Sequence, residues 1–274
     1  MTGDQTRTSL AATGIALLIL QGLAAPAHAA PLKRQFVVDP TPQNSQRLPS
    51  VSGLADGGYV VVWKSGKGWE SNGDIFGQRF DAANRRLGEE FRVNTFRKGN
   101  QTTPVVAGLK KGGFVVAWAS GLHGLPDGVF GQRYSAAGKP LGGEFRINTH
   151  RPKAQLGPAI AALRGGGFVV TWSSEGQDDG DRFGIFGQRF ARNGEPVGDE
   201  FGVNTHKRNY QTSSSVAVLE DGRFVVVWAS RRQAGVSGWG SMASSTGRPE
   251  CPSAASSRWT RIPAREGRCR RFPL

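Results

Sequence analysis

The densest set of hard oxygen donors in this 274-residue sequence is Glu175-Gly176-Gln177-Asp178-Asp179-Gly180-Asp181. Asp178, Asp179 and Asp181, spaced on a bendable glycine-bearing backbone, form a donor set that calcium would take, and calcium is the one cofactor the chain suggests. The same residues equally suit a solvated turn, so both readings stand at this point. The matching loop of an earlier repeat offers Glu70, Asn72 and Asp74, and another only Asp127. A metal in every repeat is therefore not expected, and the twelve-residue EF-hand spacing with its terminal glutamate is missing. His150 and His206 each follow an Asn-Thr pair where the first repeat has Phe96, which marks a packing or loop position. His123 stands alone in a glycine-rich loop, so no zinc cluster is assembled. A Gly-x-Ser-x-Gly nucleophile elbow is also absent from the sequence.

Other residues recur once per repeat. Arg79, Arg133 and Arg189 could line an anionic ligand track, although a structural pair at a fixed strand position is the simpler reading. Trp63, Trp118, Trp172 and Trp228 could form a sugar-stacking platform, yet their place in an apolar hairpin favours burial. Asn94, Asn148 and Asn204 suit strand termination through side-chain to backbone bonds.

The elements that carry these residues are repeats of about 55 residues. The tryptophans end the strings Gly58 to Trp63, Gly113 to Trp118, Gly167 to Trp172 and Arg223 to Trp228, spaced 55, 54 and 56 residues apart. A second block follows each of the first three: Phe76-Gly77-Gln78-Arg79-Phe80, Phe130-Gly131-Gln132-Arg133-Tyr134 and Phe186-Gly187-Gln188-Arg189-Phe190. A third closes each unit, as in Phe145-Arg146-Ile147-Asn148-Thr149. Turn chemistry divides each unit into four short strands. The Phe-Val-Val-x-Trp strand is apolar on both faces, as a strand covered from both sides must be. The expected fold is all-β, a β-propeller-like array of four-stranded repeats that is incomplete at its C-terminus. A β-solenoid or open array of sheets is the other architecture considered. Phe36-Val37-Val38-Asp39 resembles the closing block and is read as the last strand of a blade. With residues 30–230 as the repeat domain, three full blades and half of a fourth are expected.

The chain ends read differently. Residues 1–29 have Arg7, an apolar run from Ile15 to Ala25 and the small-x-small site Ala27-His28-Ala29, so they read as a signal peptide. The run is too short for a comfortable membrane span, and no transmembrane segment is expected in the mature chain. A secreted or periplasmic location follows. Residues 231–274 hold nine arginines, two acids and both cysteines, with no β or helical period. Half of the net charge of +14 sits there, so the basic balance does not argue for a specific nucleic-acid partner. In the neighbouring reading frame the Met242–Ala243 junction forces a glycine codon and Trp259–Thr260 an aspartate codon. Permitted codons around them spell Val-Tyr-Gly-Gln and Gly-Glu-Phe-x-Val-Asp-Thr, which match the second and third blocks. The tail is accordingly read as out of frame, and the disulfide that Cys251 and Cys269 would suggest is discounted.

The strings GGFVVTW, IFGQRF and GDEFGVNT resemble the tandem repeats of bacterial secreted proteins of the hemolysin-type calcium-binding, RTX-associated kind, over about residues 36 to 230. The resemblance implies binding or scaffold modules. The glycine-aspartate nonapeptides that accompany such repeats are not found in this sequence. An enzyme needs unlike groups converging on one site, whereas this chain repeats like residues. The expectation is thus an exported, non-catalytic domain for binding or adhesion to a protein, glycan or surface, with calcium as an aid. The alternatives are a propeller-type glycan-active enzyme and a nonfunctional fragment of a longer repeat protein.

Overall fold

Each repeat folds as one four-stranded antiparallel sheet with its strands in sequence order. The computed structural model describes residues 35–39, 44–67, 72–121, 128–178, 180, 182–233 and 237–246, together with the backbone of 259–261. The first sheet comprises β1 (Ser45–Gly53), β2 (Tyr59–Gly66), β3 (Gly73–Phe80) and β4 (Arg86–Arg92). The second comprises β5 (Asn100–Gly108), β6 (Phe114–Gly121), β7 (Gly128–Tyr134) and β8 (Pro140–Arg146). The third holds β9 (Gln155–Ala162), β10 (Phe168–Glu175), β11 (Phe183–Phe190) and β12 (Phe201–Gly202). The fourth holds β13 (Gln211–Val218), β14 (Phe224–Arg231), β15 (Trp239–Thr246) and β16 (Trp259–Arg261). No helix occurs among the described residues, and none there is long and apolar enough to cross a membrane. The segment read as a signal peptide, together with Cys251 and Cys269, lies outside the described residues.

The sheets stack face to face, which explains the doubly apolar central strands. Phe114, Val116 and Trp118 of β6 pack with Val60, Val62 and Ile75 of the first sheet. Val115 and Ala117, on the opposite face, pack with Phe168, Val170 and Trp172 of the third. Val169, Ile185, Phe224, Val226 and Trp228 repeat the arrangement between the third and fourth sheets. The first strands β1, β5, β9 and β13 touch one another in succession. Two serines of β1 reinforce that line: Ser50 Oγ accepts the Val106 N–H and Ser52 Oγ accepts the Gly108 N–H.

The repeated motifs take on separate structural tasks. In Phe-Gly-Gln-Arg-Phe/Tyr, the glycine leaves room for the closing phenylalanine, because a Cβ on Gly131 would lie 2.8 Å from the Phe145 ring. Gln132 Nε2 donates to the carbonyls of Arg133 and Gly142 across a register shift in the β7–β8 pairing. Gln78 and Gln188 make the same pair of bonds in their sheets. The last aromatic stacks on the first residue of the central strand, with Phe114 and Tyr134 ring centroids 4.7 Å apart.

The tail reading meets ordered strands within residues 231–274. β15 pairs along β14 with Met242 opposite Trp228, the place held by Phe76, Phe130 and Phe186 in the other sheets. Its residues lack an apolar period, but the unpaired edge of β14 offers backbone partners that do not depend on side chains. Ser244 stands where the other sheets have Gln78, Gln132 and Gln188. The fourth sheet therefore completes its backbone ladder with small residues in place of the motif.

Candidate functional site

Alternation of strand direction sends the loops between second and third strands, and the linkers between sheets, to one common end of the stack. Those linkers are held firmly. Asn148 Oδ1 accepts the Val129 N–H at 2.8 Å, and its Nδ2 donates to the His150 carbonyl. Asn94 and Asn204 serve the Ile75 and Ile185 N–H groups in the same way. These asparagines therefore bridge to another strand as well as bonding locally. Glu200 Oε2 accepts from both the N–H and the hydroxyl of Thr149, at 2.7 and 3.0 Å, and Glu144 does the same for Thr95. Replacing Asn148 by alanine strands a buried N–H on Val129, and a loss of about 2 kcal/mol is expected in urea unfolding. Burial and then the charge of Asp39 push the Glu90 carboxyl above its ordinary value, against an opposing pull from Arg86.

The third and fourth sheets gather a polar and aromatic cluster at this end. β10 ends at Glu175, whose carboxylate has no partner among the described residues. Gln177 Nε2 donates to Glu200 Oε1, and Asp178 Oδ1 accepts the Gly180 N–H at 3.2 Å. The Lys153 ammonium lies over Gly176, where an added Cβ would come within 2.8 Å of it. Tyr210, on the next linker, stacks with Phe183 at 5.9 Å and meets Trp239 at 6.2 Å. The Arg182 guanidinium sits 5.4 Å from the Tyr210 ring centre and Arg231 5.9 Å. Trp239 itself is 55% exposed. Glu175 stands opposite Phe183 in the β10–β11 register, so a carboxylate and an aromatic ledge share this end of the sheets.

Of the proposed calcium donors, Asp178 stands in this cluster, while Asp179 and Asp181 lie outside the described residues, as do His123, Glu70 and Asp127. Asp178 spends one oxygen on the turn of Gly180. The described residues hold no group of three or more His, Cys, Asp or Glu that could grip an ion. Trp63, Trp118, Trp172 and Trp228 are all buried, the last three between sheets. Three of them donate Nε1 to a buried glutamine 17 residues earlier: Trp118 to Gln101, Trp172 to Gln155 and Trp228 to Gln211. That fixed 17-residue interval was present in the sequence and could have identified the glutamines. Arg79 pairs with Asp56 at 3.2 Å, and Arg133 donates to the Arg192 carbonyl at 3.0 Å. Tyr210 and Trp239 were not singled out from sequence; Trp239 falls in the tail, where no repeat directs attention to it.

No protein-family model matches the chain. No curated protein is similar to it in sequence. Solved structures are similar in fold. An alpha-L-arabinanase from Penicillium chrysogenum, complexed with arabinobiose, has a TM-score of 0.54 at 14% identity, covering 81% of this chain and 69% of that one. An alpha-L-arabinofuranosidase from Fusarium graminearum with an iminosugar inhibitor has a TM-score of 0.51 at 11% identity, covering 82% and 69%. A Fusarium graminearum alpha-L-arabinofuranosidase with arabinobiose has a TM-score of 0.51 at 10% identity, covering 79% and 66%. The chain spans about two thirds of the length of these proteins. At such identities the likeness is one of fold.

These likenesses correct the expectation of a non-catalytic binding or adhesion domain. That reading took the repetition of like residues as a sign that no catalysis occurs. The repetition reports the scaffold, and the same kind of scaffold occurs in proteins named arabinanase and arabinofuranosidase. Unlike residues sit on the loops, where repetition carries no information.

Proposed function

We propose that this chain is an exported glycan-active enzyme of propeller type, working at the linker end of its third and fourth sheets. The observation that carries the reading is the fold shared over 79% to 82% of the chain with an arabinanase and arabinofuranosidases. The four sheets are read as successive blades of an arc about the line of first strands. Glycoside cleavage needs two carboxyl groups flanking the scissile bond, one giving a proton to the leaving oxygen and one acting on the opposite side. Glu175 is assigned the proton-transferring role because its carboxylate is not committed to a structural bond. Asp178, three residues further along the same loop, supplies the second carboxyl group. Trp239, exposed beside Tyr210, supplies the face on which a sugar ring stacks.

Reducing-sugar release from arabinan, xylan and other plant polysaccharides tests this reading. Activity on at least one of them is expected, and Glu175→Gln should lower kcat/KM by about 10²–10⁴-fold while leaving the unfolding midpoint in place. Absence of release from every polysaccharide, or full activity in the Glu175→Gln protein, would overturn it.

A further inference from the structure

At the opposite end of the stack, a cavity of about 440 Å³ opens between the second and third sheets. Its floor is apolar, formed with Leu109, Tyr134 and Leu141, and its polar walls include Lys111, Arg133 and Arg192. No carboxylate lines it among the described residues. The three cations are held together by the backbone: Arg133 Nη1 donates to the Arg192 carbonyl at 3.0 Å, and Arg192 Nη2 donates to the Lys111 carbonyl at 3.1 Å. Over Gly166 the stems of Lys111 and Arg192 converge, each within 4 Å of where a Cβ would stand.

The equivalent place in the first sheet holds an ion pair instead. There Asp56, aligned with Lys111 in the turn after the first strand, pairs with Arg79, which aligns with Arg133. The second sheet thus exchanges the acid for a third cation and leaves Arg133 without an ion pair among the described residues. Three cations around a pocket with an apolar floor attract an anion that brings an apolar face of its own. We propose that this cavity binds a small ring-bearing organic anion, of the size and charge of a uronic acid, with its carboxylate between Arg133, Arg192 and Lys111 and its ring over Leu109 and Leu141. The proposal is independent of the glycan-active reading, since it concerns the other end of the sheets.

Thermal unfolding of the full chain at constant ionic strength tests the site, with galacturonate, its neutral counterpart galactose and inorganic sulfate as probes. Galacturonate is expected to raise the Tm saturably by about 3 °C, with galactose and sulfate giving less than half of that shift. Lys111→Asp restores the acid of the first sheet, so this variant should fold at least as stably as the parent and lose the response to galacturonate. Arg192→Gln, at an exposed position, should weaken the response several-fold. An unresponsive parent protein, an equal shift with sulfate, or an undiminished response in both variants would overturn the assignment.

Discussion

Replacing Trp172 by alanine is expected to remove about 3–5 kcal/mol of stability, the range for deleting a large buried ring. The indole is fully buried among Val115, Ala117, Val129 and Phe186, between the second and third sheets. Its Nε1 donates at 3.0 Å to Gln155 Oε1, and Gln155 is itself fully buried. The substitution therefore opens a cavity and leaves an amide oxygen without a donor where water does not reach. With total stabilities of about 5–15 kcal/mol for domains in general, that loss is a large share of what holds the fold together. A comparison separates the two causes. Trp172→Phe keeps most of the packing and removes the donor, for an expected cost of about 1–3 kcal/mol from the stranded oxygen. Trp63→Phe should cost less, because Trp63 Nε1 has no partner among the described residues and Gln46 directs its Nε2 to the Asn44 carbonyl and the Ser65 hydroxyl. Equal losses for the two phenylalanine variants in urea unfolding would remove the hydrogen bond from the explanation.

Legibility in the sequence followed how directly a residue type reports its surroundings. The central strands were readable because covering a strand on both faces requires apolar residues at every position, as in Phe114 to Trp118. The four-stranded sheets were readable because glycine-rich turns mark their corners. The irregularities of the first strands were not. Leu48, Thr103, Gly157 and Ser213 occupy the same place in β1, β5, β9 and β13, and all four take positive φ of 49° to 56° beside a register shift. Only Gly157 announces that conformation; leucine, threonine and serine there are held by the surrounding ladder against their own preference. β15 was hidden for a related reason, since its pairing with β14 is a backbone affair. The candidate site was less legible still. Asp178 was found because acidic turns attract notice, but Glu175 became distinct only once its neighbours proved committed elsewhere. Tyr210 and Trp239 are brought together across Arg231 of β14 in the fourth sheet, a relation that spacing along the chain does not encode.

The fourth sheet shows how far the array depends on its neighbours. Val227 is 42% exposed, whereas Ala117 and Thr171 at the same place in the second and third sheets are fully buried. An interior sheet buries both faces of its central strand; the last sheet described covers only one, with Val226 and Trp228 against the third. Repeats of this kind draw stability from interfaces between units, so terminal units are the least stable.

Gly113→Ala is expected to cost about 3 kcal/mol, combining a left-handed backbone with overpacking. Gly113 closes the turn from β5 to β6, with its carbonyl accepting the Leu109 N–H at 2.9 Å, and has φ of 82°. A Cβ there would stand 2.3 Å from the Tyr134 carbonyl oxygen, a backbone atom that cannot swing aside as a side chain would. The first and third sheets impose the same contact, at 2.3 Å between Gly58 and the Phe80 oxygen and 2.1 Å between Gly167 and the Phe190 oxygen. The fourth sheet escapes it: Arg223 occupies the position, and the following Phe224 N–H is met by the Thr246 hydroxyl at 3.0 Å. Gly112→Ala provides the control. Its φ of 87° is as unfavourable, but the nearest atom to an added Cβ is the Ala136 methyl at 3.5 Å, so about 1 kcal/mol is expected from conformation alone. The difference between the two variants in urea unfolding measures the close approach of β6 to β7 by itself. Matching losses would mean that the turn, and not the tight pairing of the central strands, makes glycine necessary at the head of the central strand in the first three sheets.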